Sequence, residues 1–518
     1  MAEQINDSLK KRYFYKLFCN MLCIPISLLC QGIIPRGLGP KNYGDFNYLT
    51  NFFSQILNFL GMGTSIGFYT KLSQKPNRNK LVVFYLYFIG AVSFLVLVLV
   101  IIAQVTGLYK KILPDQGLLY IYLALFLGIF IWINEVMNQM VDAYGLTVSA
   151  EIRKSFQKIA GLILIGVLFI YNKINLFNFF LYNFILLFMS ILIFISLIRK
   201  EPRFNIDTLK LKVIEIKKHI IEFYEYSHPL FIYAVLSAIA NIFDRWLLQV
   251  FGGSIKQGFF ALSYQIGSIC FLFAGAMTPL ISREFSIAYD KKDVGTMADL
   301  FRKHIPLLCS ITAFIACFAA VNADKITLIL GGGKFRDATV AVCIMSFYPI
   351  HQAYGQLTGS VFYSTGQTKL YRNIGLFFLI IGLPITYFMI APKNNMGLDA
   401  GATGLAIKTV LINILSVNVL LYYSARFLHL TFWKFVAHQI IVIASFVLCA
   451  ACVTSVINKI FLGHSNIILT FAISGILYAF VIGAFFLWKP IIFGLNRKDV
   501  NYILSFFHKK SRGKNAQK

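Results

Sequence analysis

Arg36-Gly37-Leu38-Gly39-Pro40-Lys41-Asn42-Tyr43-Gly44-Asp45-Phe46 follows the first long apolar segment of the chain. It has a fainter copy in Phe251-Gly252-Gly253-Ser254-Ile255-Lys256-Gln257-Gly258-Phe259-Phe260. Both stretches carry a Gly-x4-Gly-x-Phe frame, 214 residues apart, so the chain reads as two related halves. Duplication of this kind in a membrane protein points to a substrate path between halves that rock against each other. Glycines at the ends of apolar segments are expected to shape tight external turns.

The composition around the frame is that of a bilayer protein. Of 518 residues 58% are hydrophobic and 13% charged, about half the charged fraction of an ordinary soluble domain, and the mean hydropathy is +0.71. The 51 Phe and 27 Tyr suit lipid-facing helices and interfacial belts. A net charge of +27 raises the question of nucleic acid. The basic residues, however, gather in loops on one side, as orientation in a membrane requires, and the anionic headgroups of the inner leaflet are the expected contact.

A ruler of about 20 apolar residues per crossing places about fourteen spans. They run over 13–34, 46–68, 81–104, 116–138, 157–172, 176–198, 229–250, 257–280, 304–323, 338–360, 371–391, 399–423, 435–456 and 465–488. The fold class is therefore an all-α integral membrane protein. The positive-inside rule puts both termini in the cytoplasm, the carboxyl end closing on the basic tail His508 to Lys514. The basic run Lys10 to Arg12 before the first span lacks a small-residue cleavage site, so that span is read as retained.

The repeat divides the chain into a lobe over 1–198 (spans 1 to 6), a cytoplasmic linker over 199–228, a second lobe over 229–424 (spans 7 to 12), and an appendix over 425–518 with spans 13 and 14. Both copies of the frame follow odd-numbered spans of the same direction, so the repeat is parallel. In the linker Leu209, Val213, Ile216, Ile220 and Phe223 fall on one helical face, which predicts an amphipathic helix on the inner membrane surface. The nine cysteines lie inside spans and read as small core residues. Cys19 and Cys23 are one turn apart, but no His or carboxylate in that span completes a metal site. No metal and no cofactor is expected.

These residues resemble the polysaccharide exporter branch of the multidrug/oligosaccharidyl-lipid/polysaccharide exporter (MOP) superfamily, which includes the Wzx-type O-antigen flippases. The resemblance rests on Arg36-Gly37-Leu38-Gly39-Pro40-x-x-Tyr43-Gly44, on Asp244-Arg245-Trp246 with Gly252, Gly253 and Gly258, and on Gly397-Leu398-Asp399-Ala400-Gly401-Ala402-Thr403-Gly404-Leu405-Ala406. With the spans it covers nearly the whole chain. It implies a two-lobed, MATE-like bundle in the bacterial inner membrane. By alternating access, this bundle would move an undecaprenyl-diphosphate-linked oligosaccharide to the outer leaflet for polysaccharide, lipopolysaccharide or O-antigen synthesis. The implied partners are that lipid, membrane lipids and other polysaccharide-assembly proteins, with no nucleic acid.

An ionised side chain at mid-bilayer costs about 2.5 to 3.5 kcal/mol on insertion scales, so each should face a cavity or a partner. Arg245 and Lys408 are the cations that lie deep within expected spans, and with Arg36 at the outer mouth they are the candidates for binding a diphosphate. A structural ion pair or snorkelling is the alternative for Arg245, and presentation to the outer interface is the alternative for Lys408. Asp244, His351 and Glu135 are the candidates for ion coupling. A cation antiporter of the multidrug type would place carboxylates rather than Arg245 and Lys408 in its cavity. A glycan polymerase or ligase would need a large external loop, and the longest here is 324–337. Its Gly331-Gly332-Gly333 reads as a flexible turn, since Lys334 is followed by Phe335 and no nucleotide cradle results. The chain is not expected to be an enzyme.

Overall fold

The computed structural model describes residues 9–61, 64–74, 79–201, 204, 213–461, 466–495 and 497. The basic tail and Leu209 lie outside the described residues. Among those described, the chain is helical, with turns and short 3-10 segments and no strand. The helices are α1 Leu9–Leu60, α2 Thr64–Gln74, α3 Asn79–Val105, α4 Tyr109–Ile112, α5 Leu118–Ala143, α6 Thr147–Ile170, α7 Leu176–Ile198, α8 Val213–Cys270 and α9 Leu272–Asp290. They continue as α10 Val294–Val321, α11 Ala323–Leu330, α12 Thr339–Met345, α13 Tyr348–Ser364, α14 Thr368–Ile390, α15 Gly401–Phe427, α16 Phe432–Ile460 and α17 Ile467–Trp488. Nine helical segments among the described residues are long and apolar enough to cross a membrane.

The glycine frame is not a loop. α1 runs through it and bends at Gly39, whose φ of 71° and ψ of 171° lie where only glycine is at ease. Pro40 then opens the next helical turn, a position where its missing N–H costs nothing. The second copy repeats this geometry inside α8, with Gly253 at φ 64° and ψ −175°. Each expected external turn is thus a hinge between two directly joined helices.

The later glycine of each frame has a different task. A Cβ on Gly44 would lie 1.8 Å from the Ser254 carbonyl oxygen, and one on Gly258 would lie 2.1 Å from the Pro40 carbonyl oxygen. Ser254 and Pro40 are themselves equivalent in the repeat, so the two copies cross reciprocally, each lending a bare Cα to the other's backbone. Small residues permit such an approach, and the Cα hydrogens it aims at carbonyl oxygens contribute about 0.5 to 1 kcal/mol each.

The segment around α4 ties the crossing down. Tyr48 Oη of α1 donates to Ile112 O at 3.2 Å, and Gln116 Nε2 donates to Asp45 Oδ1 at 2.8 Å. From α8, Trp246 Nε1 donates to Lys111 O at 3.0 Å, while Gln249 Nε2 lies 3.3 Å from Pro114 O and 3.2 Å from Ser254 Oγ. Asp45, Gln116 and Gln249 are buried, so these bonds pair groups that water cannot reach, although Gln249 Oε1 has no partner among the described residues.

By contacts the chain divides into two compact units, Met1–Gly258 and Phe259–Lys518, so most of α8, span 7 included, groups with the first unit. In the first unit α1 packs on α5 and α6, and α5 packs on α7, around fully buried Tyr48, Phe53, Phe68, Tyr85 and Phe180. From Val213 the expected linker helix is continuous with span 7. Its Phe223 is buried against Phe84 and Tyr85, Ile216 joins the same core, and Lys80 pairs with Glu215, while Ile220 is exposed. Of the apolar face read from the linker, Phe223 and Ile216 therefore pack against protein. In the second unit α10 packs on α9, α13 and α16, and α15 packs on α12, α13 and α14.

Several boundaries differ from the sequence reading. The weak fifth span belongs to a helix that starts at Thr147, because its polar first turns bond to α5 and α7. Span 10 is interrupted between α12 and α13, where Pro349 stands in the first turn of α13. Gly331 to Gly333 is a packed corner, with a Cβ on Gly331 meeting Phe335 at 2.6 Å and Phe335 fully buried. Nearby Lys325 donates to Asn458 at 2.8 Å, and its burial lowers the pKa of its amine. Cys452 is exposed and Cys30, Cys343 and Cys449 are half-buried, so not every cysteine is a core residue, and all nine are free thiols.

Gly44→Ala and Gly258→Ala should each lower stability by at least the 1 to 3 kcal/mol typical of overpacking, read as a lower unfolding midpoint and poorer monodispersity in detergent. Gly90→Ala, where an added Cβ meets nothing within 4 Å, should leave both unchanged.

Candidate functional site

Arg245 lies half-buried in α8, about two turns before the Gly253 hinge. Its Nη1 donates to Gln257 Oε1 at 3.3 Å, and the Gln257 amide nitrogen donates back to the Arg245 carbonyl oxygen. Gln257 is fully buried and sits one residue before the crossing glycine Gly258. The hinge therefore folds the helix so that a glutamine three residues beyond Ser254 reaches back to the arginine. In the first copy Gln31 and Tyr43 occupy the positions of Arg245 and Gln257, so the cation belongs to one copy alone. Adjacent Asp244 is half-buried, and Arg36 is exposed on α1 one residue before Gly37.

Lys408 is placed differently. It is buried in α15, and its side chain lies over Gly382 of α14: a Cβ there would come within 3.2 Å of Lys408 Cε and 3.4 Å of Nζ. Gly382 supplies the room a long cationic side chain needs between two packed helices. Nothing in the spacing of the sequence pairs it with Lys408.

His351 is buried in α13, and its Nδ1 carries no hydrogen bond among the described residues. Glu135 is exposed on α5 within a polar run the sequence reading only sampled. Asn134 Oδ1 and Gln139 Oε1 are buried there without a bonded partner among the described residues. Lys154 of α6 donates to Asn138 Oδ1 at 3.1 Å and to Glu151 Oε1 at 2.5 Å, and Asp142 Oδ1 accepts from Thr147 at 2.8 Å. Counting amides along with carboxylates in span 4 would have exposed this stripe. Among the described residues no group of three or more His, Cys, Asp or Glu could hold a metal ion. The candidates thus fall into separate environments: Arg245, Asp244, Arg36 and Glu135 belong to the first unit, and Lys408 and His351 to the second.

The arrangement is that of a multi-pass helical bundle, and solved structures share its fold. The lipid II flippase MurJ in an inward closed conformation matches with a TM-score of 0.65 and 15% identity, covering 92% of this chain and 99% of that one. An inward-facing multidrug resistance MATE family transporter of the MOP superfamily matches with a TM-score of 0.64 and 14% identity over 80% of this chain and 98% of that one. Its outward-facing counterpart matches at 0.55 and 16% over 81% and 96%. No curated protein sequence matches the chain. The family model described as polysaccharide biosynthesis protein matches residues 9–283, and the chain belongs to that family. Its fold is that of solved transporters of the MOP superfamily.

Gln257→Leu removes both bonds to Arg245. It should cost about 1 to 3 kcal/mol, the penalty for stranding a buried polar partner, measured as a fall in unfolding midpoint in detergent. Gln257→Glu, which keeps an acceptor for the guanidinium, should lose less.

Proposed function

We propose that this protein flips an undecaprenyl-diphosphate-linked oligosaccharide from the inner to the outer leaflet of the bacterial inner membrane, with both termini in the cytoplasm, by alternating access of its two repeated lobes. The observation that carries this reading is membership of the polysaccharide biosynthesis family, joined to a fold shared nearly end to end with a lipid II flippase. The chemistry of the buried charges agrees with it. A diphosphate is a dianionic or more highly charged group, and an arginine in a low-dielectric site binds its oxygens through two parallel N–H donors.

Arg245 is the substrate cation in this reading. Gln257 holds one of its nitrogens and its own backbone carbonyl, which fixes where the remaining donors point. Lys408, lying over Gly382, supplies a second cation, and Arg36 serves the outer mouth. Asp244, His351 and Glu135 are the proton or ion acceptors that would couple the cycle, His351 as a buried imidazole of α13. Export of cationic drugs, as in the multidrug branch, fits less well, because half-buried Arg245 and buried Lys408 would repel such cargo.

Deleting the gene should leave lipid-linked oligosaccharide on the cytoplasmic leaflet, scored by its protection from an externally added glycosidase or lectin. Undiminished outer-leaflet substrate in the deletion strain would overturn the proposal. Arg245→Gln should lower transport at least tenfold at unchanged membrane abundance, with partial recovery in Arg245→Lys. Normal export by both Arg245→Gln and Lys408→Gln would make the two cations structural.

A further inference from the structure

The second unit carries a basic cavity of about 770 Å³ that the transport reading does not use. It opens at the ends of helices that the positive-inside rule assigns to the cytoplasm: the start of α10, the turn between α15 and α16, and the turn after α17. Arg302, Lys303, His429, Lys434 and His438 line it, against a single acidic residue, Asp299, whose Oδ1 accepts from Arg302 Nη1 at 3.0 Å. Its floor is apolar, with Phe435 and Pro306 buried.

The walls are held in place. Tyr354 Oη lies 3.1 Å from His438 Nδ1 and orients that ring. Gly494, at φ 70°, lets the turn after α17 close on α10, where a Cβ would meet Pro306 at 2.7 Å. His429 sits at φ 54°, a conformation uncommon for a residue other than glycine, and also lines the adjoining groove that holds Arg426.

Two further observations identify the occupant. Tyr422, Tyr423, Phe432 and Trp433 cluster beside the mouth, Trp433 71% exposed, and Lys489 lies over the exposed Trp488 ring at 4.8 Å on the same ends of the bundle. Exposed aromatics of this kind mark headgroup depth. An apolar groove of about 530 Å³ then runs between α10 and α17 past Leu307, Ile311, Phe314 and Ile482, and it shares Lys303 and Leu495 with the basic cavity. A cationic chamber at headgroup level that continues into an apolar channel matches a molecule with a phosphate at one end and an acyl chain at the other.

We propose that this paired cavity and groove is a binding site for a resident anionic phospholipid, its phosphate among Arg302, Lys434 and His429 and one acyl chain between α10 and α17. Such a lipid would brace α10 against α16 and α17 independently of the cargo. Gly483 offers a probe of the groove it lines, since a Cβ there meets nothing within 4 Å and a larger side chain would compete with a chain in the groove.

The test uses the purified full-length protein in detergent, titrated with dioleoyl phosphatidylglycerol, dioleoyl phosphatidylethanolamine, inorganic phosphate or undecaprenyl phosphate, with binding read by native mass spectrometry and by the rise in unfolding midpoint. Phosphatidylglycerol should bind and stabilise the wild type, and phosphatidylethanolamine should bind at least tenfold more weakly. Arg302→Gln/Lys434→Gln and Gly483→Leu should each weaken phosphatidylglycerol at least tenfold, with lipid-free midpoints matching the wild type as the folding control. If the double variant is poorly folded, Gly483→Leu alone decides. Phosphatidylglycerol affinity equal to that of phosphatidylethanolamine, or unchanged by Gly483→Leu, would overturn the proposal. So would equal binding of inorganic phosphate, which would make this a free-anion site, or preferred binding of undecaprenyl phosphate, which would make it a cargo site.

Discussion

The first unit depends on two backbones touching where no Cβ intervenes. Gly44 faces the Ser254 carbonyl and Gly258 faces the Pro40 carbonyl, both closer than any side chain could allow. Apolar side chains gain little by leaving lipid for protein, so helices in a bilayer associate through close packing and polar contacts rather than through a hydrophobic drive. A reciprocal glycine contact provides such packing at the point where the two repeat copies cross. The hinges at Gly39 and Gly253 bring it about, because each bends its helix a few residues before the crossing glycine.

The polar groups nearby follow from that crossing. Once the backbones approach, Asp45, Gln116 and Gln249 are shut away from water and must bond to one another or to the α4 segment. Arg245 meets the same requirement through Gln257. Lys408 meets it in another way, by lying in the space that Gly382 leaves on α14. A cation inside a helical bundle is tolerated only with such provision.

Much of this was legible in the chain. Apolar runs of about 20 residues locate spans because backbone polar groups in lipid must be satisfied within the helix, so length and hydropathy carry the information. The Gly-x4-Gly-x-Phe frame was likewise legible as a repeat. Its conformation was not: an apolar run broken by glycine and proline reads as a turn, whereas Pro40 in fact opens the next helical turn directly after Gly39. The linker face was legible as amphipathic, but periodicity alone does not say what an apolar face will cover: Phe223 and Ile216 pack on Phe84, Tyr85 and their neighbours, while Ile220 is exposed. The glycines at 331 to 333 suggested mobility, and burial of Phe335 makes them a corner.

By itself the sequence determined the class of the protein and its repeat, and it singled out Arg245 and Lys408, because insertion into a bilayer is governed by local composition and by where lysine and arginine fall. Only the tertiary structure decided what those charges touch and which glycines are indispensable. Gln257, Gly382, Ser254 and the basic chamber around Arg302 and Lys434 come together from positions whose spacing carries no signal. Their proximity is set by helix bends and packing distances of a few ångströms, which depend on residues far apart in the chain.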